Sequence, residues 1–144
     1  MESEIKIVIY IVTLMALSGC YPIYKTLQPN ASIKVVDKNS EPILQASVFL
    51  ISSAYPYGYE RTRVKRTTNQ NGIARFKSNS EWRTEALVIH GAEVYFWNWC
   101  VVKENYQTFY TYLDSSNDFN QQESITLQEG LSAPCPTELI DEQS

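Results

Sequence analysis

The sequence predicts an all-β sandwich of about seven short strands behind an N-terminal apolar helix. Three observations carry that prediction. Apolar and polar residues alternate in several short segments, the pattern of strands buried on one face. The pair Asn71-Gly72 stands between two such segments and can take the positive φ of a tight hairpin turn. Residues 92–102 are apolar at both parities, as in a central strand covered on both sides. Residues 20–144 suffice for one hydrophobic core and not for two.

The first element is a leader. Between Ile5 and Leu17 only Lys6, Tyr10 and Thr13 interrupt an aliphatic run, which is shorter than the roughly 20 apolar residues of a membrane span. Leu17-Ser18-Gly19-Cys20 ends it with two small residues before a cysteine, and Tyr21-Pro22 follows. These four residues resemble the lipobox of bacterial lipoproteins. The resemblance implies a diacylglyceryl group on the Cys20 thiol, cleavage of residues 1–19 as a signal peptide, and acylation (palmitate or a similar chain) of the new amino terminus. It also implies a membrane partner through the lipid. Tyr21, where an Asp commonly marks inner-membrane retention, points to the outer membrane, on its periplasmic face. Glu2 and Glu4 beside Lys6 make the start of the leader roughly neutral, where such leaders are normally positive. An uncleaved signal anchor or a packed amphipathic helix is the alternative, but the run has no polar face at a 3.6-residue period.

With Cys20 consumed by lipid, Cys100 and Cys135 are left to pair in an oxidising compartment, the alternative being two separate thiols. A disulfide would close a loop of 35 positions and tie a C-terminal tail, residues 131–144, to a core strand. Loop-closure entropy gives such a bond about 3 to 4 kcal/mol.

Residues 20–30, with two prolines and no clear periodicity, are expected to be a tether. The sandwich domain is expected over residues 31–130. Ser32 to Asp37 read as a strand with Ile33 and Val35 on one face, and Asp37-Lys38-Asn39-Ser40 supply a turn. A second strand places Ala46, Val48 and Leu50 together. Residues 52–60 form a loop around Tyr55-Pro56-Tyr57-Gly58-Tyr59, either a ligand surface or a lid over the sandwich edge. Arg61, Arg63 and Lys65 follow on one face of a strand, with Thr62 and Val64 on the other. Such a stripe contacts phosphate or simply protects an edge strand from pairing. Trp82 is expected in a loop or one helical turn, and a strand resumes from Thr84 to Ile89. In the central strand, the parity holding Tyr95, Trp97 and Trp99 is expected beneath a loop or the tail. The strands over residues 106–113 and 123–127 flank a polar loop.

Taken together, a strand ending in Asp37, Pro42-Ile43, the Ala46-x-Val48-x-Leu50 strand and Thr67-Thr68-Asn69-Gln70-Asn71-Gly72 before Ala74-x-Phe76 resemble carboxypeptidase regulatory-like domains. These belong to the transthyretin-like β-sandwiches. Lys103-Glu104-Asn105-Tyr106 is similar to the family's later corner, with Asn105 in place of the usual Gly; Asn also enters the left-handed region. The resemblance spans residues 31–128 and implies a fold rather than an activity.

Chemistry is sparse. The chain has one histidine, His90, no Gly-x-Ser-x-Gly elbow and no phosphate-cradling glycine loop. A hydrolase centred on His90 is the weakest reading, and no metal or cofactor is expected. Transthyretin-like hydrolases of the purine pathway carry several His and Arg residues and a Tyr-Arg-Gly-Ser end; this chain has neither. The net charge of −4, or −3 without the leader, gives no general reason to bind nucleic acid. The expectation is a non-catalytic, lipid-anchored envelope lipoprotein acting as a protein-interaction or structural module. The alternative is a carbohydrate or peptidoglycan binder using Tyr55, Tyr57, Tyr59 and Trp82.

Overall fold

The computed structural model describes residues 2–17, 20–86 and 92–137. α1 (Glu2–Leu17) precedes β1 (Cys20–Gln28), β2 (Ala31–Val36), β3 (Ser47–Tyr55), β4 (Tyr59–Thr67), β5 (Ile73–Phe76), β6 (Asn79–Ala86), β7 (Val94–Val102), β8 (Phe109–Tyr110) and β9 (Gln122–Thr126). The strands form a four-stranded sheet β4-β3-β7-β8, a three-stranded sheet β5-β2-β9 and a two-stranded ribbon β1-β6. All pairings are antiparallel except β2 with β9. The protein is an all-β sandwich with an N-terminal helix.

The core lies between the two larger sheets. Ile33, Val35, Ala74, Phe76 and Ile125 point inward from one sheet and Val48, Leu50, Trp99 and Val101 from the other. The strand register explains the selection. Val48 stands opposite Val101, and Leu50 opposite Trp99, so these four share a face, and the intervening pair Phe49 and Cys100 takes the other. Burying each large aliphatic or aromatic side chain in this layer contributes roughly 1.5–3 kcal/mol.

Turn chemistry follows the sequence closely. Asp37 Oδ1 accepts from the backbone N–H groups of Asn39 and Glu41 at 2.8 and 2.9 Å, closing the predicted turn. Asn105 has φ 67°, the left-handed conformation expected of the residue standing for Gly. Gly72 has φ 71°, and a Cβ there would run into the carbonyl oxygen of Val35. The Asn71-Gly72 turn is not a hairpin between paired neighbours, however. It carries the chain from β4 in one sheet to β5 in the other, with Gly72 N–H donating to Asn69 O at 2.9 Å.

Several expectations are corrected. Residues 20–28 are strand β1, paired with β6 from Cys20↔Ala86 to Gln28↔Asn79, and not a tether. Trp82 lies within β6 rather than in a loop or helical turn. β6 is hard to read because Glu81, Arg83 and Glu85 occupy its inward positions, and β1 because Pro22 suits a strand only where one edge lacks a partner. Residues 52–60 are mostly strand, β3 running to Tyr55 and β4 starting at Tyr59. The strand expected over residues 106–113 is reduced to β8. Here Asn98 replaces a longer ladder: its amide donates to Leu113 O at 2.9 Å, and its oxygen accepts from Leu113 N–H at 2.7 Å. In β7 it is the face carrying Trp99 and Val101 that enters the core, while the Cys100 face lies beneath the tail. The strand expected to reach Ile89 runs into residues outside the described ones after Ala86, as does His90.

The disulfide Cys100–Cys135 is present, with Cα atoms 6.0 Å apart. Around it Ile51 is buried, with Phe49, Val102 and Tyr110 packed against it. The tail is therefore tied as expected, through its one buried residue between 131 and 137.

Candidate functional site

β1 and β6 continue the three-stranded layer outward. Only Pro29 and Asn30 separate β1 from β2, and only Lys77 and Ser78 separate β5 from β6. The ribbon then meets the first half of β7 and the residue before it. Trp97 Nε1 donates to Leu27 O at 3.0 Å, and the Lys25 ammonium bonds Glu93 O. Moving along β1 from Leu27 through Lys25 leads past the start of β7 to Cys20, at the free end of the ribbon.

The two faces of this ribbon differ in chemistry. Directly opposed residues share a face, so Tyr21/Glu85, Ile23/Arg83 and Lys25/Glu81 lie on the inner side. There Lys25 pairs with Glu85, both side chains about nine-tenths covered. Arg83 meets Glu93 at 2.6 Å and the Tyr95 hydroxyl at 3.0 Å, and its Nε meets Glu81 at 3.0 Å. Burial disfavours charge on Arg83, but Tyr95 and Glu93 outweigh it and raise its pKa above the ordinary value. Burial, and then Glu93, push the Tyr95 hydroxyl above its ordinary value against the pull of Arg83. This layer fastens the ribbon to the four-stranded sheet.

The outer side carries Cys20, Pro22, Tyr24 and Thr26 from β1, opposite Thr84, Trp82 and Ser80 on β6. None of these is charged. Cys20 is exposed and free of any disulfide. Tyr24 and Trp82 are directly opposed, with ring centroids 5.3 Å apart, and are 59% and 72% exposed.

The three hairpin tyrosines form a separate group at the β3–β4 turn. Tyr57 and Tyr59 stack at 5.7 Å and 14°, and Tyr55 leans on Phe96 at 5.1 Å. All three are exposed, at 40%, 58% and 55% in chain order, so they do not fold down as a lid. Trp82 is in ring contact with Tyr24 instead. Tyr57 and Tyr59 thus turn one ring face toward each other, which takes that face from a flat ligand. Tyr24 and the inner-face fastening were not visible as site features. The one available signal was Tyr24 two residues from Pro22 and four from Cys20.

The basic stripe is divided. A bulge between Ser52 and Ser53 shifts the register at Arg61, which pairs with Glu93 at 2.5 Å. Arg63 pairs with Glu60 and bonds Pro136 O, and Lys65 lies over the Phe49 ring, 5.6 Å from its centroid. Three cations at a strand's spacing thus serve three local contacts. A polar cleft of about 230 Å³ lined by Asn30, Ser32, Arg75, Gln121 and Gln122 lies where β2, β5 and β9 meet. Among the described residues no group of three or more His, Cys, Asp or Glu could hold a metal ion. No described helix is long and apolar enough to cross a membrane. Comparison with protein-family models, with curated proteins and with solved structures returned no match.

Proposed function

We propose that the chain is a bacterial envelope lipoprotein, anchored by lipid on Cys20 and serving as a non-catalytic interaction or structural module. The observation that carries this reading is the sequence Leu17-Ser18-Gly19-Cys20 ending an apolar run, with Cys20 exposed as the first residue of β1. Every side chain described between Ser3 and Leu14 is exposed, so the leader contributes nothing to the core of the sandwich. Its removal costs the fold no buried surface among those residues. Two or three acyl chains, each buried methylene contributing about 0.8 kcal/mol, hold such a domain at a bilayer permanently for practical purposes. The outer membrane, periplasmic face, is the favoured location because Tyr21 follows the cysteine.

The test is intact-mass analysis of the membrane fraction from cells expressing the full chain. A mass starting at Cys20 with acyl additions, lost in Cys20→Ala together with membrane association, is the expected result. An unmodified chain starting at Met1 in the soluble fraction overturns it.

A further inference from the structure

We propose that the outer face of the β1–β6 ribbon lies on the bilayer interface, with Tyr24 and Trp82 at headgroup level. This rests on the lipid-anchor reading and specifies how the domain is held against lipid. The first argument is the distribution of charge. By register all four charged residues of the ribbon, Lys25, Glu81, Arg83 and Glu85, belong to its inner side, from whose margin Glu81 still reaches solvent, and its outer side has none. A water-exposed strand face ordinarily carries the charges, because charge there costs nothing and discourages edge pairing. Here that arrangement is inverted, and an uncharged face meets the headgroup region without stripping ions of water.

The second argument is continuity with the anchor. Cys20 is itself paired with Ala86, so no flexible linker separates the modified thiol from the ribbon. Tyr24 follows four residues later on the same side, roughly 13 Å along the strand. Lipid on Cys20 therefore brings this side directly to the membrane surface. Tyr and Trp suit that depth, each having an apolar body and a polar tip. Because the face is uncharged, its seating is expected to be insensitive to salt and to anionic lipid.

The experiment uses the full mature lipoprotein in phosphatidylcholine vesicles, with and without lipids carrying a shallow spin-label quencher. Trp82 is the exposed tryptophan, Trp99 is fully buried and Trp97 is half-buried, so the difference between wild type and Trp82→Phe isolates Trp82 emission. The expected result is loss of most Trp82 emission to the lipid quencher and loss of its accessibility to aqueous acrylamide, unchanged by salt. Flotation of the same vesicles separates the two readings. Protein that floats while Trp82 stays open to acrylamide and blind to the lipid quencher overturns the ribbon proposal and leaves the anchor intact. Protein that does not float overturns both. Concentration-dependent shielding of Trp82 in detergent assigns the face to a second copy of the chain, and quenching by soluble peptidoglycan fragments with none by vesicles assigns it to glycan. Either result overturns the proposal.

Discussion

Arg83 on β6 donates through Nη1 to Glu93 Oε2 at 2.6 Å and to the Tyr95 hydroxyl at 3.0 Å, fastening the ribbon to the four-stranded sheet. The other carboxylate oxygen of Glu93 takes Arg61 Nη2 at 2.5 Å. One carboxylate thus links β4, β6 and the entry to β7, in a layer where the ribbon offers few apolar contacts.

Glu93→Ala removes the shared acceptor and leaves two guanidinium groups facing each other. All three side chains are partly open to solvent, which limits the effect to about 1 kcal/mol of global stability. The local effect is larger than the global one. Hydrogen exchange is expected to accelerate through β1 and β6 while β2 and β9, buried in the sandwich, keep their protection. Equal acceleration in all four strands contradicts this role.

Tyr95 makes the same fastening sensitive to alkali. Its folded-state pKa is raised above the ordinary 10.0 by burial and by Glu93, so folding favours the protonated hydroxyl. The associated stability is fully present below pH 10.0, the unfolded value, and is lost as pH rises through the higher folded value. Denaturation midpoints measured across alkaline pH are expected to fall along this limb. Tyr95→Phe is expected to flatten it and to remove a phenolate that titrates above its ordinary value from the ultraviolet titration.

The sandwich was legible where strands bury aliphatic residues on one face. Ile33 with Val35, and Val48 with Leu50, alternate in the sequence and enter the core as expected. The ribbon was not legible, for a physical reason. Beside Tyr21 and Ile23, its inner positions hold Lys25, Arg83 and Glu85, whose burial depends on partners far away in sequence. Trp82 is exposed, as the sequence suggests, but its neighbour Tyr24 reaches it only through strand pairing. Which face of β7 enters the core is equally invisible to local pattern. Both parities are apolar, and only the pairing of Leu50 with Trp99 decides between them. The tyrosines of the hairpin were legible as a cluster but not as a stack, since the tightness of the β3–β4 turn sets the Tyr57–Tyr59 contact.

The disulfide gives the most demanding prediction. Cys135 is buried against Cys100, while Leu131 in the same tail is 93% exposed. The tail has two further attachments: Thr108 and Ala133 exchange hydrogen bonds, and Arg63 donates to Pro136 O at 2.7 Å. These are solvent-exposed and contribute on the order of 1 kcal/mol each at most. The covalent link closes 35 positions, a constraint on the unfolded chain of about 3 to 4 kcal/mol. Cys135→Ser is therefore expected to release the tail despite the remaining bonds. That opens the Ile51 and Phe49 side of β3 to water while leaving the Leu50 side packed. Urea denaturation should show a loss of about 3 kcal/mol or more, matched by wild type under reductant. Cys100→Ala/Cys135→Ala should lose about as much, because the deleted term is the loop constraint rather than either side chain. A Cys135→Ser variant as stable as oxidised wild type, with β3 amides equally protected, would mean that the exposed contacts hold the tail without the bond.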